Sequence, residues 1–494
     1  MSSSHTIPLR GLFFTPRSLL FEGRFGRMFR GLPAARFGKT DQDSVANLQK
    51  LAAAMMSDPD APKDGKDEEE SGIPSLYTYL GQFIDHDLTF DPASSLQKQN
   101  DPDALTDFRT PAFDLDCVYG RGPDDQPYMY GDHGDFLLGA PLTGAHPSAA
   151  DLPRNPANGR ALIGDPRNDE NSIVSQLHGL FLRFHNRALT ETAKSFADVQ
   201  QFVRFHYQYV ILNDFLPRII LSSVLDDLKL FGRYSRHKLE FFHWHNQPFM
   251  PVEFSGAAYR FGHSMVRPGY RLNDDGSTLL SIFPGLTGFE PMPSNHAIDW
   301  GRFVDTDIRT SNETSPVDTA RRLQFAYRID TSLVNPLALL PPPEAGTGPI
   351  VLAERNLIRA FRFGLPSGQD VARVMDITPL ADKDILIGKA VDAPEEPLPN
   401  IVQIDKVFAG NCPLWTYVLA EAMHYREPVK IPVSEDVTVN TPKLGPVGGR
   451  IVAEVFLGLM FGDKNSLLNI DRNWQPPSGP NYTLKDFVLY ALGA

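Results

Sequence analysis

Three short strings hold most of the residues able to do chemistry. In residues 81–90, GQFIDHDLTF, Gln82 and His86 lie four apart and share one helix face, with Asp85 close to it. Histidine is the side chain whose ordinary pKa suits proton transfer near neutral pH. The same string also reads as a helix end with a surface histidine and two solvated acids. In residues 164–171, GDPRNDEN, Arg167 and Glu170 lie three apart just ahead of a helical pattern, which is also how a charged, capped turn looks. In residues 257–268, AAYRFGHSMVRP, His263 follows a glycine, and Gly256, Ala257 and Ala258 are small. Small residues let a bulky flat group approach the backbone. An imidazole on such a surface can ligate haem iron, although a hydrogen-bonded core histidine is the commoner case.

These residues need helices to position them. Apolar spacing predicts helices over 45–56, 74–90 (with Pro74 as a starter), 173–193, 199–225 (broken near Pro217), 255–266, 353–363, 415–425 and 449–461. Alternating strand patterns are scarce, so the expected class is mainly α with long loops and little β. The stretch 58–72, DPDAPKDGKDEEESG, reads as an exposed loop. Residues 336–348 and 391–400 read as Pro-rich loops. Neither a repeat nor a separating linker stands out, so residues 1–494 are expected to form one large helical domain. The arginine-rich stretch 1–40 reads as an arm packed on it, though a transit peptide has similar composition.

Bulk properties narrow the partners. The net charge of −13 argues against nucleic acid. No run approaches the ~20 apolar residues of a membrane span. Cys117 and Cys412 allow at most one bridge. The N-terminus lacks a charged region followed by an apolar one, so no classical secretory signal is expected; that points to a cytoplasmic or non-classically secreted protein.

The strings resemble, in order, segments of the animal-type haem peroxidases. GQFIDHDLTF is similar to their distal helix. GDPRNDEN with LHGLFLRFHNR resembles the catalytic-arginine segment, and AAYRFGHSMVRP the proximal-histidine helix. Residues 355–367, RNLIRAFRFGLPS, resemble the segment that supplies the proximal histidine's partner. TPAFDLDCVYG, 110–120, resembles the calcium loop, and GRFGRMFRGLPAARFG the entry segment. The matches run from about residue 22 to 460. Missing cysteines, the missing signal and Phe184 in LRFHNR look more like a bacterial member.

The resemblance implies a role for each residue. His86 is the distal base that moves a proton between the oxygens of H2O2, Arg167 stabilises charge on the leaving oxygen, and Gln82 positions water or a small substrate. His263 ligates the iron of haem b, Asn356 accepts the proton on its other ring nitrogen, and Arg260 pairs with a haem propionate. Asp85 and Glu170 stand where ester bonds to haem form; Asn171 excludes a third, sulfonium link. Asp87, Thr110, Asp114 and Asp116, with the Ala112 carbonyl, form a Ca²⁺ site. The implied partners are H2O2 and a small donor, a halide, a pseudohalide or a phenol.

A rival ligand is His245. FHWH at 242–245 resembles the ligand stretch of cyclooxygenases, but Phe242 replaces their radical-forming tyrosine. His263 is therefore preferred, and His178, His185 and His206 are read as core or surface residues. Two other functions stay open: haem-dependent fatty-acid oxygenation, with Tyr259 as a possible radical site, and non-catalytic haem binding or adhesion. Oligomeric state is not legible.

Overall fold

Helices form where apolar residues recur at helical spacing and a side chain caps the first turn. The computed structural model describes residues 25–89, 111–245, 248–311, 321–338, 340, 350–394 and 396–493. Its longer helices are α1 (Asp41–Ala54), α2 (Leu76–Leu88), α3 (Ser172–Thr192), α4 (Phe196–Val210), α5 (Leu352–Arg362), α6 (Leu414–His424), α7 (Pro446–Gly462) and α8 (Leu484–Leu492). Thr40 and Asp43 form a capping box at α1. Asn171 accepts from the Ile173 and Val174 amides at α3. Such caps stabilise a helix by about 1 kcal/mol.

Helices α6 and α7 are apolar on nearly every face, and so both are buried on nearly every face. Glu421 of α6 accepts from the Val447 and Gly448 amides, placing a carboxylate on the N-terminus of α7. On α7, a Cβ at Gly458 would stand 2.2 Å from the Phe242 ring, so only glycine allows that approach. Phe83 of α2 stacks on Phe181 of α3 at 4.4 Å, and Phe184 of α3 stacks on Phe487 of α8 at 4.5 Å. One large apolar cluster joins these helices.

The β-structure consists of five two-stranded pairs among the described residues. The longest joins Arg426–Lys430 to Thr438–Pro442, antiparallel. The expectation of a mainly α fold with little β holds. No described helix is long and apolar enough to cross a membrane.

Several expected boundaries shift. Pro74 ends the strand Glu70–Pro74 instead of opening α2. The helix expected to break near Pro217 continues past it. The Leu216 amide donates five residues back to the Ile211 carbonyl, and this wider turn accommodates the proline until Ile219. The helix expected over 255–266 is a short turn, Val252–Ser255, followed by the 3-10 run Ala258–Met265. Side-chain donors take the carbonyls an α-helix would use: Arg260 Nε bonds the Ser255 carbonyl, and Trp415 Nε1 bonds that of Arg260. α8 was not anticipated.

The expected exposed loop at 58–72 is exposed only in part. Its end is buried, with Glu70 accepting from Arg267 and Arg322 at 2.6–2.9 Å. Removing one member of such a buried ionic group costs about 3–5 kcal/mol. Of the arginine-rich arm, residues 1–24 lie outside the described residues. From Phe25 onward the arm is packed: Phe25–Gly26 pairs with Met250–Pro251, and Glu253 accepts from the Met28 and Phe29 amides.

Candidate active site

A cavity of about 590 Å³ lies between α2, the turn before α3, the 3-10 run and α5. Gln82, Asp85, His86, Arg167, Glu170, Arg260, His263 and Asn356 all line it. Residues spread over 274 positions thus share one chamber.

The first wall is α2 and the turn Pro166–Asp169. His86 is buried, and its Nδ1 lies 2.8 Å from Asn168 Oδ1. Since that oxygen can only accept, Nδ1 carries the proton and Nε2 keeps its lone pair. Nε2 lies 4.0 Å from Glu170 Oε2. Asn168 Nδ2 is 3.0 Å from His178 Nδ1, so the amide bridges the two imidazoles. Burial, reinforced by Arg167, pushes the His86 pKa down to about 4, which keeps the imidazole neutral.

Arg167 is clamped. Its Nη2 donates to the His86 carbonyl at 3.0 Å and to the Thr89 carbonyl, and it forms an ion pair with Asp165 at 2.8 Å. Gln82 sits between two neighbours: its amide donates to Glu170 at 3.3 Å and accepts from Asn171 at 3.2 Å.

The second wall carries His263 and Asn356. Tyr259 ties it to α2 by donating to the Gly81 carbonyl at 3.2 Å. Burial and then Arg260 hold the His263 pKa down at about 3, so this imidazole is neutral too. Asn356 Nδ2 lies 2.9 Å from His263 Nδ1, while its Oδ1 accepts from Arg260 Nη1 at 2.9 Å. This reverses the expected polarity, in which Asn356 accepts from His263. To present Nε2 to a metal, His263 must carry its proton on Nδ1. Asn356 must then turn its oxygen toward the ring, and Arg260 must release it.

Asp87, Asp114 and Asp116 bring carboxylate oxygens within 4.8 Å of one another, all buried. Asp87 Oδ1 accepts no hydrogen bond among the described residues. Burial, then Asp114 and Asp116, raise the Asp87 carboxyl well above its usual range. Such a group could hold a hard cation, and its oxygen donors are of the kind Ca²⁺ takes. Ala112 is buried next to this loop. Thr110 lies outside the described residues.

His245 is exposed and does not line the cavity. Glu454 on α7 accepts from the Phe241 and Phe242 amides, which buries Phe242 and leaves His243 and His245 outside. His178, His185 and His206 are all buried. Sequence reasoning missed Asn168. It stands beside Arg167 in GDPRNDEN, but only its through-space contacts single it out.

Residues 109–283 match the model of the animal haem peroxidases. That match covers about a third of this chain. Over 220 residues it is 24% identical to peroxinectin A of Dictyostelium discoideum, covering 44% of this chain and 38% of that protein. Over 224 residues it is 27% identical to the peroxidasin homolog of Mus musculus, covering 42% and 14%. The chain therefore spans well under half the length of these relatives. Among solved structures, peroxidase A of Dictyostelium discoideum shares the fold with a TM-score of 0.57 at 16% identity, over 91% of this chain and 89% of that one. A fatty acid alpha-dioxygenase of Arabidopsis thaliana shares it with a TM-score of 0.56 at 14% identity, over 95% and 77%.

Proposed function

We propose that this peroxidase relative is a haem peroxidase that reduces H2O2 and oxidises a small donor, a halide, a pseudohalide or a phenol. The observation that carries the reading is His86: a buried neutral imidazole with Nδ1 tied to Asn168, in the same cavity as His263.

The residues fit a haem. His263 would ligate its iron, with Asn356 turned to accept from Nδ1. Arg260, freed from Asn356, would meet a propionate, and Asp85 and Glu170 are the carboxylates available for ester bonds. A haem held there would supply the redox chemistry, two electrons for O–O cleavage that the donor returns. His86 takes a proton from one peroxide oxygen and returns it to the other, which leaves as water. Arg167 stabilises the charge gathering on that oxygen. Gln82 keeps the peroxide or a water beside His86. Asp87, Asp114 and Asp116, with the Ala112 carbonyl, would hold Ca²⁺ and so lock the end of α2, one residue from His86.

The test is a hemin titration of the full chain, followed by H2O2 consumption with iodide and with a phenol. The reading expects stoichiometric binding that His263→Ala weakens, and turnover with at least one donor. Oxygen uptake with an unsaturated fatty acid in place of peroxide turnover would favour oxygenation instead. Hemin binding without either reaction would leave a haem-binding protein.

A further inference from the structure

The hairpin Lys229–Leu230 to Arg233–Tyr234 closes through Phe231 and Gly232, both at positive φ (51° and 78°). Two-residue turns of this kind favour Asn-Gly, because a bulky side chain is strained at the first position. Here that position holds a phenylalanine that is 96% exposed, beside Leu230 at 44%. The turn thus accepts backbone strain and presents an aromatic ring to solvent. Both choices run against folding stability.

The charge around the tip is equally local. From 229 to 238, KLFGRYSRHK, there are four Lys or Arg residues and no acid, in a chain of net charge −13. Asp226 and Asp227 pair with Lys229 and Lys238. Arg233 and Arg236 are exposed, and neither forms an ion pair among the described residues; Arg236 instead lies over the Trp244 ring at 4.7 Å.

We propose that this hairpin is a peripheral docking tip for an anionic lipid surface. Phe231 and Leu230 enter the headgroup boundary, and Arg233 and Arg236 meet lipid phosphates or carboxylates. An apolar tip followed in the chain by two exposed arginines suits a surface that is anionic outside and apolar beneath. A protein pocket of the same design is the alternative occupant. The inference does not rest on the peroxidase reading, because no hairpin residue lines the cavity.

The test is co-sedimentation of the full chain with vesicles of phosphatidylcholine alone or mixed with phosphatidylserine. Binding is expected only with phosphatidylserine and should weaken as salt is raised. Phe231→Asn should lower it about tenfold, with thermal stability unchanged or raised, since asparagine suits the turn. Phe231→Trp should show blue-shifted emission on the same vesicles. Equal binding by wild type and Phe231→Asn would overturn the proposal. So would absence of binding, or wild-type self-association that Phe231→Asn abolishes without any lipid effect.

Discussion

The two walls of the cavity are built differently. On the His86 side every working group is held by another part of the protein: His86 by Asn168, Asn168 by His178, Arg167 by Asp165 and two backbone carbonyls, Gln82 by Glu170 and Asn171. On the His263 side one amide does the holding, and its oxygen is engaged by Arg260. On the proposed function, the first wall is set in advance for proton transfer. The second would reach the polarity of the proposed iron ligand once Arg260 finds another acceptor. The proposed function thus puts preorganisation where charge would be stabilised during reaction, and adaptability where a group would enter.

That contrast can be broken by mutation. The largest effect belongs to His86→Ala, which should slow the peroxide-induced change in the hemin-loaded protein by at least ~100-fold while leaving hemin binding intact. Next comes Asn356→Leu, which should weaken hemin affinity by roughly 10–100-fold, the scale for losing a ligand's hydrogen-bond partner. A hemin titration checks it, and an unchanged affinity would show that the second wall needs no amide.

Asn168→Leu should slow the peroxide step about tenfold, the worth of one hydrogen bond to a working group. It should also move the His86 proton between ring nitrogens, read by ¹⁵N NMR of the haem-free protein. Asn168→Asp keeps the acceptor and should restore both. If His86 keeps its tautomer in Asn168→Leu, then the first wall does not set it.

A further effect, on stability, lies outside both walls. Burial holds the His206 pKa at about 4, below the 6.5 of an unfolded chain. Below pH 6.5 the unfolded state therefore binds a proton the folded state refuses. Stability is full above that pH and falls toward pH 4, by up to about 1.4 kcal/mol per pH unit for this group. Urea midpoints at pH 7 and 5 should differ less in His206→Phe than in wild type.

What was legible in the sequence follows the same division. Gln82, Asp85 and His86 lie within one helical turn or so, and Arg167 and Glu170 within another, so spacing alone groups them. α6 and α7 announce themselves as apolar runs. The 3-10 run at Ala258–Met265 does not, because Arg260 and Trp415 claim carbonyls through tertiary contacts. Glu70 looked solvated in an acidic stretch, since Arg267 and Arg322 come from 197 and 252 residues away. Asn168 depends on His178, and the amide direction of Asn356 on Arg260. Neither orientation is written in local spacing.

The most direct measurement is stopped-flow absorbance of the hemin-loaded chain mixed with equimolar H2O2, wild type beside His86→Ala. The account predicts a rapid Soret shift in wild type and a response at least ~100-fold slower in the variant, with the same resting spectrum. A Soret band indifferent to peroxide in wild type, or equal rates in the two proteins, would contradict it.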